Sequence, residues 1–242
     1  MKKFKVKRKK NCFDRFMIGL FKLFKGKHKI VNLNQEPLPE KCILLANHSN
    51  SGGPINYSMY FSGTMMMWGA HQMTENFKSR WNYSYHIFYR QKLGYGKFRS
   101  WIIATLLAII APLAYSVPGI IPVYYDMRVM QTFRNSIQCL NENKAVLIFP
   151  ENSNEGYKDQ LLEINPGFLE LSKMYFKRCG IDLPIYPLRL DKKPKRIVIG
   201  KPLFYQELSK TFSDTEIIEI FRNSMNVLKS VGFEPVLPAS EL

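Results

Sequence analysis

Short apolar runs separated by stretches with helical periodicity predict the fold of this chain. Each run is four to six residues long, as expected of a buried strand, and amphipathic segments lie between several of them. The runs are 42–46, 120–124, 145–149, 185–190 and 196–199. Alternation of this kind is typical of an α/β protein. We therefore predict a central, mostly parallel β-sheet flanked by helices.

Three of the intervening helices have a recognisable face or recognisable ends. Residues 129–140 carry apolar side chains at helical spacing between the second and third runs. Pro166 stands where a helix after the third run would begin, and Gly180 stands where it would end. A capping box at residues 213–216 precedes a C-terminal helix that Gly232 would end.

The stretch 101–125 contains no charged residue and is long enough to resemble a membrane span. Proline and glycine at positions 112, 118, 119 and 122 would interrupt one continuous helix. We therefore predict a helix over about 97–110 and a strand near 120–124, and the possibility that this helix dips into a membrane stays open. The aromatic and basic residues of the stretch 81–101 fit either a headgroup interface or ordinary packing.

The positive charge of the chain is concentrated at its start. Residues 1–30 hold twelve Lys or Arg and one Asp, and therefore +11 of the formal net charge of +16. Phe13, Phe16, Met17, Leu20, Phe21 and Phe24 recur there at helical spacing. This pattern predicts a basic amphipathic helix on a membrane surface over residues 1–30, followed by an α/β domain over 31–242. A disordered basic tail is the alternative.

Cysteines and histidines indicate neither a disulfide framework nor a metal site. The four cysteines form no C-x-x-C pair, and the four histidines lack metal-ligand spacing. The methionine-rich stretch 65–68 fits ordinary core packing or the lining of an acyl-chain groove.

Two polar groups follow two of the predicted strands. Asn47-His48 comes directly after the run 42–46, and Phe149-Pro150-Glu151 comes at the end of the run 145–149. Ligand sites in α/β proteins lie at the carboxyl ends of the strands, so we expect one site there. A histidine in such a place can act as a general base near neutral pH.

These motifs, with others that follow in order, resemble the glycerolipid acyltransferase family, whose best-known members are 1-acylglycerol-3-phosphate acyltransferases. The resemblance covers about residues 40–205. Its segments are Asn47-His48, Gly119-Ile120-Ile121-Pro122-Val123, Phe149-Pro150-Glu151, Asn165-Pro166-Gly167-Phe168, Leu183-Pro184-Ile185-Tyr186-Pro187-Leu188 and Ile199-Gly200-Lys201-Pro202.

The resemblance implies a reaction and a set of site residues. His48 would take a proton from an acceptor hydroxyl, which attacks an acyl thioester, and Glu151 would help to bind or orient the acceptor. The donor would be acyl-CoA or acyl carrier protein, used as a substrate, with no bound cofactor and no metal. The acceptor would be the hydroxyl of a lysophospholipid or glycerolipid, as in phospholipid biosynthesis. The other residues expected to bind substrate are Asn47, Tyr125, Asp126, Arg128, Phe149, Pro150, Asn152, Ser153 and Asn154.

One departure from the family pattern concerns the orientation of the histidine. The family has an aspartate five positions after the histidine, and this chain has Gly53 there. Asp126 or Glu151 could replace that carboxylate from elsewhere in the fold, and Ser49, Asn50 or a backbone carbonyl could orient the ring more weakly.

Two further departures concern recognition of the acceptor phosphate. Tyr125 stands where the family usually has an arginine, and Arg128 is a candidate to compensate. Asn152-Ser153-Asn154 stands in place of the usual Gly-Thr-Arg. Because bidentate arginine contacts are the usual means of reading a phosphate, an acceptor without a free phosphate fits as well as lysophosphatidate.

Two readings from other classes stay open on the sequence alone. A degenerate family member would bind lipid or an acyl carrier without turnover, because Gly53 leaves His48 unoriented. A nucleic-acid binder would use the basic arm and would show steep salt dependence. Of these readings, we expect the acyltransferase. We expect it to be a peripheral or monotopic protein on the cytoplasmic face of an anionic membrane, with no nucleic-acid partner.

Overall fold

The computed structural model describes residues 4–6, 12–49, 53–61, 63–117, 119–152, 156 and 159–231. Among these residues, eight strands form one mixed sheet. The strands are β1 (Lys29–Asn32), β2 (Ile43–Ala46), β3 (Met65–Ala70), β4 (Ile120–Val123), β5 (Ala145–Ile148), β6 (Pro184–Asp191), β7 (Arg196–Ile199) and β8 (Leu203–Phe204).

Helices connect and cover these strands. They are α1 (Cys12–Lys25), α2 (Gly53–Phe61), α3 (Phe77–Asn82), α4 (Lys97–Ser116), α5 (Val129–Asn141), α6 (Gly167–Cys179), α7 (Tyr205–Leu208) and α8 (Asp214–Val227). A short 3₁₀ helix, His71–Thr74, follows β3, and a π-helix, Tyr83–Lys92, follows α3.

The strands are arranged in the order β1-β7-β6-β2-β5-β3-β4, and β8 also pairs with β6. The five strands β6, β2, β5, β3 and β4 are parallel to one another. At the other edge, β7 is antiparallel to β6 and parallel to β1, while β8 is antiparallel to β6. The prediction of a mostly parallel sheet flanked by helices is confirmed.

Alternate residues of the central strand β2 enter cores on opposite faces of the sheet. Ile43 and Leu45 belong to an apolar cluster with α5, α6 and α8, in which the rings of Phe168 and Phe221 meet edge to face. Leu44 lies in the opposite cluster, which includes Tyr57 of α2. This alternation follows from the two-residue period of a strand, and it fixes which side chains leave β2 towards each face.

The strand β3 was not among the predicted runs. Met65, Met66 and Met67 are buried, with Met66 in the first cluster and the other two in the second. These three methionines are therefore core residues of a central strand.

Predicted helix boundaries can be compared with the structure at α6, α8 and α4. The helix α6 begins after Pro166 and ends before Gly180, as predicted, whereas α8 ends at Val227, before the predicted stop at Gly232, which lies outside the described residues. The capping box at Ser213 and Glu216 is present at the start of α8. The expected end of α4 near residue 110 was wrong, because the helix continues to Ser116 with Pro112 inside it. Pro112 has no N–H for the carbonyl of Ala108, and the Arg80 Nε donates to that carbonyl instead at 2.9 Å.

The helix α1 confirms the helix expected in the basic segment. Ile18 packs with Met59 of α2 and with Val117, which directly follows α4. On other sides of the helix, Phe16 and Leu23 are 67% and 78% exposed. The side chains of Phe21 and Phe24 lie outside those described. The expected boundary at residue 30 falls within β1, which pairs with β7.

A buried ion network joins the end of β6 to β7 and to the chain after α8. The Asp191 carboxylate accepts from Arg189 Nε at 2.9 Å and from Arg196 Nε at 2.8 Å. Arg196 also donates to the carbonyls of Lys229 and Val231. Arg189 and Arg196 are buried, so each depends on this carboxylate to offset its lost hydration.

We predict that Asp191→Ala lowers the free energy of unfolding by about 3–5 kcal/mol, because it leaves two buried guanidinium groups without their shared carboxylate. Urea denaturation measures this change. Glu219→Ala, which removes an exposed ion pair with Arg222, is the matched control and should cost less than about 1 kcal/mol. Equal effects of the two substitutions would contradict the proposed role of Asp191.

Candidate active site

His48 and Glu151 leave adjacent strands at matching positions. β2 pairs in parallel with β5, and Leu45 lies opposite Ile148. His48 follows Leu45 by three residues, and Glu151 follows Ile148 by three residues. The register of the sheet therefore brings the two residues side by side at its carboxyl edge, as the two strand-end motifs predicted.

The carboxylate of Glu151 contacts both the backbone and the ring side of His48. The His48 N–H donates to Oε1 at 2.9 Å. The ring nitrogen Nδ1 lies 3.9 Å from Oε2, beyond hydrogen-bond distance but within the range of an ion pair. The ring of Phe149 packs against the imidazole with their centres 4.3 Å apart. These contacts hold the imidazole between an aromatic ring and a carboxylate.

Burial sets the protonation states of this pair. The Glu151 side chain is 6% exposed and that of His48 is 23% exposed. Burial raises the pKa of Glu151 to about 7, although the His48 N–H, Arg189 and Lys92 favour the ionised carboxylate. Burial, with help from the charge of Lys92, lowers the pKa of His48 to about 3. The imidazole is therefore neutral at physiological pH, and Glu151 changes its charge near neutrality.

Lys92 and Arg189 belong to the electrostatic surroundings of the site, and sequence reasoning missed both. Lys92 ends the π-helix, and its carbonyl oxygen lies close to Gly156. A Cβ at position 156 would be only 3.1 Å from that oxygen. Burial lowers the pKa of Lys92, while Glu151 opposes that shift. The Arg189 guanidinium contacts the Asp159 carboxylate at 3.1 Å. Neither residue is part of a local motif, so no signal along the chain indicated them.

Gly53, five positions after His48, packs tightly against the backbone of that histidine. Its N–H donates to the His48 carbonyl at 2.8 Å. A Cβ at this position would lie 2.4 Å from the same oxygen, which is closer than atoms can approach. With this backbone, position 53 has no room for a side chain, and the carboxylate beside His48 comes from Glu151.

Asn47 has structural partners within the fold. Its Nδ2 donates to the Leu190 carbonyl at 3.1 Å, and its Oδ1 accepts from the Leu190 N–H at 2.7 Å. The Tyr57 hydroxyl also donates to Oδ1 at 3.2 Å. The amide thus continues the contact between β2 and β6 beyond the last paired residues. Contact of Asn47 with substrate stays a prediction.

Tyr125, Asp126 and Arg128 lie at the carboxyl end of β4, away from His48. β4 is three strands from β2, which corresponds to about 14 Å across the sheet. Tyr125 is 90% exposed. Asp126 and Arg128 form an ion pair at 2.6 Å, and the hydrogen bonds from Arg128 lower the pKa of Asp126 to about 2. The carboxylate of Asp126 is thus bound to Arg128, and Glu151 is the acidic residue beside His48.

His71 joins this β4 end of the edge. Its Nδ1 lies 3.1 Å from the Val123 carbonyl, and its ring lies 4.9 Å from that of Tyr124. The Arg128 guanidinium lies over the ring of Tyr124, 4.4 Å from the ring centre. A cationic and aromatic group therefore stands at the same sheet edge as His48 and Glu151.

The segment after Glu151 turns back on itself. Glu151 bridges to Ile164, and the Pro150 carbonyl accepts from the Asn165 N–H at 2.7 Å. The exposed Asn152 amide contacts Glu163 at 3.2 Å. Ser153 and Asn154, which were expected to bind substrate, lie outside the described residues.

A metal site is not apparent in the described part of the chain, where no three His, Cys, Asp or Glu side chains are placed to hold an ion. The chemical groups at this edge are a neutral imidazole, a carboxylate that titrates near neutrality and several cations. Such a set can accept a proton from a hydroxyl and stabilise the resulting imidazolium.

Comparisons with known proteins identify the fold. No family model matches the sequence, and no curated protein matches it. Among solved structures, one with a similar fold is the 1-acyl-sn-glycerophosphate acyltransferase PlsC from Thermotoga maritima, with 14% identity, a TM-score of 0.50, and coverage of 91% of this chain and 82% of that chain. At this identity the likeness establishes the α/β fold.

We predict that Gly53→Ala lowers the free energy of unfolding by about 1–3 kcal/mol, because the new methyl group overlaps the His48 carbonyl. Thermal or urea denaturation measures the change. Gly19→Ala is the matched control, since Gly19 is helical and has no atom near its Cβ position. Alanine there should stabilise α1 by up to about 1 kcal/mol. A harmless Gly53→Ala would show that the contact with His48 is loose.

Glu151→Gln should change how stability depends on pH. The pKa of Glu151 is raised from 4.5 to about 7, so the folded protein holds a proton that the unfolded chain releases. Stability from this group is therefore present below about pH 4.5 and is lost as pH rises through about 7. Between about pH 5 and pH 8, the free energy of unfolding should fall by up to about 3 kcal/mol more in the wild type than in Glu151→Gln. Parallel pH curves for the two proteins, measured by urea denaturation, would contradict the raised pKa.

Proposed function

We propose that this protein is an acyltransferase that moves a fatty acyl group from an acyl thioester to a hydroxyl of a lysophospholipid or glycerolipid. The observation that carries the proposal is the placement of His48 beside Glu151 at the carboxyl edge of the sheet. The fold it shares with the Thermotoga maritima acyltransferase supports the same class of reaction. Acyl-CoA or acyl carrier protein would serve as the donor, with no bound cofactor.

His48 would act as the general base. The acceptor oxygen attacks the thioester carbonyl carbon while its proton passes to the imidazole. The carbon–sulfur bond then breaks, and the imidazolium returns the proton to the departing thiolate. We assign proton transfer to Nε2, since Nδ1 is the ring nitrogen that lies towards Glu151.

Glu151 would act by stabilising the imidazolium. With a pKa near 3, the resting imidazole is neutral but weakly basic. An ionised carboxylate 3.9 Å from Nδ1 favours the protonated ring, and closer approach during the reaction would strengthen that effect. Because Glu151 itself ionises near pH 7, the base should become more effective as pH rises through neutrality.

The acceptor would extend along the carboxyl edge from His48 towards β4. Arg128 and the ring of Tyr124 offer a cationic and aromatic surface there, with Tyr125 and Asp126 beside them. Asn152, Ser153 and Asn154 remain further proposed substrate contacts, the last two outside the described residues. Because Arg128 is partly neutralised by Asp126, a lysolipid headgroup fits this surface as well as a free phosphate does.

Membrane association would begin with α1 and the basic segment around it. Residues 1–30 carry most of the net charge, and Phe16 and Leu23 are exposed on α1. Each basic residue near an anionic surface contributes about 1 kcal/mol. We propose a peripheral or monotopic protein on the cytoplasmic face.

A second candidate is a lipid or acyl-carrier binding protein without turnover. It is favoured by one observation, the 3.9 Å separation of Nδ1 and Oε2, which is longer than a hydrogen bond between the imidazole and Glu151. The two candidates differ in whether His48 is needed for a product to form.

We expect the purified full chain, with vesicles of phosphatidylcholine and phosphatidylglycerol, to transfer acyl groups from acyl-CoA or acyl carrier protein to at least one lysolipid. His48→Ala should lower the rate about 100-fold or more, because a general base contributes at least that factor. His86→Ala, which changes an exposed histidine of the π-helix, is the matched control and should retain activity. Product is measured by mass spectrometry across a panel of lysolipids and glycerolipids. No product from the whole panel, or equal rates for wild type and His48→Ala, would leave the binding protein as the better account.

A further inference from the structure

The helix α4 is packed with its small residues inward. It lies against α3 and the π-helix, and the residues on its buried side are Ser100, Ala104, Ala108 and Ala111. Two side chains of α3 hold this arrangement. Arg80 donates to the Ala108 carbonyl, and the Trp81 Nε1 donates to Thr105 Oγ1 at 2.9 Å. The orientation of α4 about its own axis is therefore fixed.

The large apolar side chains of α4 consequently face outward. Six of those described are between 52% and 77% exposed, namely Phe98, Trp101, Leu106, Ile109, Ile110 and Leu113. A surface helix of a soluble protein normally has the reverse arrangement, with its large apolar residues in the core. An exposed apolar patch of this extent marks a surface that is covered when the protein functions.

Charge along α4 indicates what covers this face. The sequence has no charged residue from position 100 to 125, and the cations of the helix, Lys97 and Arg99, lie at its first turn. The Arg99 guanidinium lies 4.0 Å from the centre of the Tyr95 ring. Basic and aromatic residues at one end of an apolar surface are typical of the boundary between lipid headgroups and acyl chains.

The helix α1 lies near the C-terminal end of α4. Val117, directly after α4, packs with Ile18 of α1, so the end of one helix adjoins the middle of the other. Phe16 and Leu23 of α1 are exposed, within the segment that holds most of the net charge. The C-terminal end of α4 therefore lies near α1, which belongs to the segment that holds most of the net charge, and this suits an anionic bilayer.

The polar groups near this face favour lipid over a protein partner. Protein interfaces carry about one hydrogen bond per 100–200 Å². Thr105 already accepts from Trp81 and donates to the Trp101 carbonyl, and Ser100 donates to the Tyr95 carbonyl. The outward side chains themselves are hydrocarbon apart from the indole of Trp101. A bilayer needs no hydrogen bonds from this face.

We propose that α4 lies along an anionic membrane with its outward face, Phe98 to Leu113, in the acyl-chain region. Among the described residues, no helix is long and apolar enough to cross a bilayer. α4 would therefore insert from one side, with its small-residue side still bound to α3. This proposal extends the membrane contact of α1 proposed above, and it is independent of the chemistry at His48.

Two substitutions on α4 test the proposal through binding alone. Leu106→Gln with Ile109→Gln should lower the partition of the full chain onto vesicles of equal parts phosphatidylcholine and phosphatidylglycerol at least tenfold, measured by sedimentation. Val227→Gln is the matched control, because Val227 is an equally exposed apolar residue of α8, at 61%. It should leave partition unchanged. If the α4 double variant partitions onto the vesicles as strongly as Val227→Gln does, the proposal is overturned.

Fluorescence tests the depth of insertion. Vesicles whose phosphatidylcholine is brominated along its acyl chains should quench the wild-type protein, and Trp101→Phe should remove most of that quenching while binding is retained. Bound wild type without quenching would overturn the proposal.

Two further arms separate this inference from its alternatives. Phe16→Gln with Leu23→Gln tests α1, and a loss of binding confined to that variant would refute insertion of α4 while supporting α1. The wild type could instead be a dimer in lipid-free buffer while the α4 variant is a monomer that binds vesicles as the wild type does. That result would show a second copy on this face and would also refute insertion.

Discussion

β2 and β5 pair in parallel, in a register that carries His48 and Glu151 out of the sheet side by side. Beyond the last paired residues, the His48 N–H donates to Glu151 Oε1, so a hydrogen bond from backbone to side chain still joins the two segments. Because this carboxylate is held against the start of the loop, it lies close to the imidazole and away from water. Its raised pKa, the neutral state of His48 and the influence of Lys92 all follow from the same burial.

The same contact places a carboxylate beside His48, while the chain has Gly53 five positions after that histidine. Gly53 donates to the His48 carbonyl and has no space for a Cβ, so the turn that begins α2 is built for glycine. The carboxylate is supplied by the neighbouring strand. Glu151 follows β5 by three residues, and its Oε2 lies 3.9 Å from Nδ1 of the imidazole.

The sequence predicted much of this structure where local patterns decide it. All five apolar runs are strands, and the capping box at Ser213 begins α8 as expected. β3 was missed because its methionines lack the β-branched signature, and β1 was missed because it is short and mostly exposed. The end of α4 depends on Arg80 bonding to the Ala108 carbonyl, a tertiary contact with no local signal. At the site, the strand ends indicated that His48 and Glu151 would meet, but the positions of Lys92 and Arg189 depend on packing between distant segments.

The central claim is that Glu151 takes the part of the missing aspartate by stabilising the protonated form of His48. The pH dependence of kcat/KM for acyl transfer, compared between wild type and Glu151→Gln, measures this most directly. The account predicts a wild-type rate that rises with an apparent pKa near 7, and a Glu151→Gln rate that is at least about 100-fold lower and lacks that rise. The same rate and the same pH profile in both proteins would contradict it.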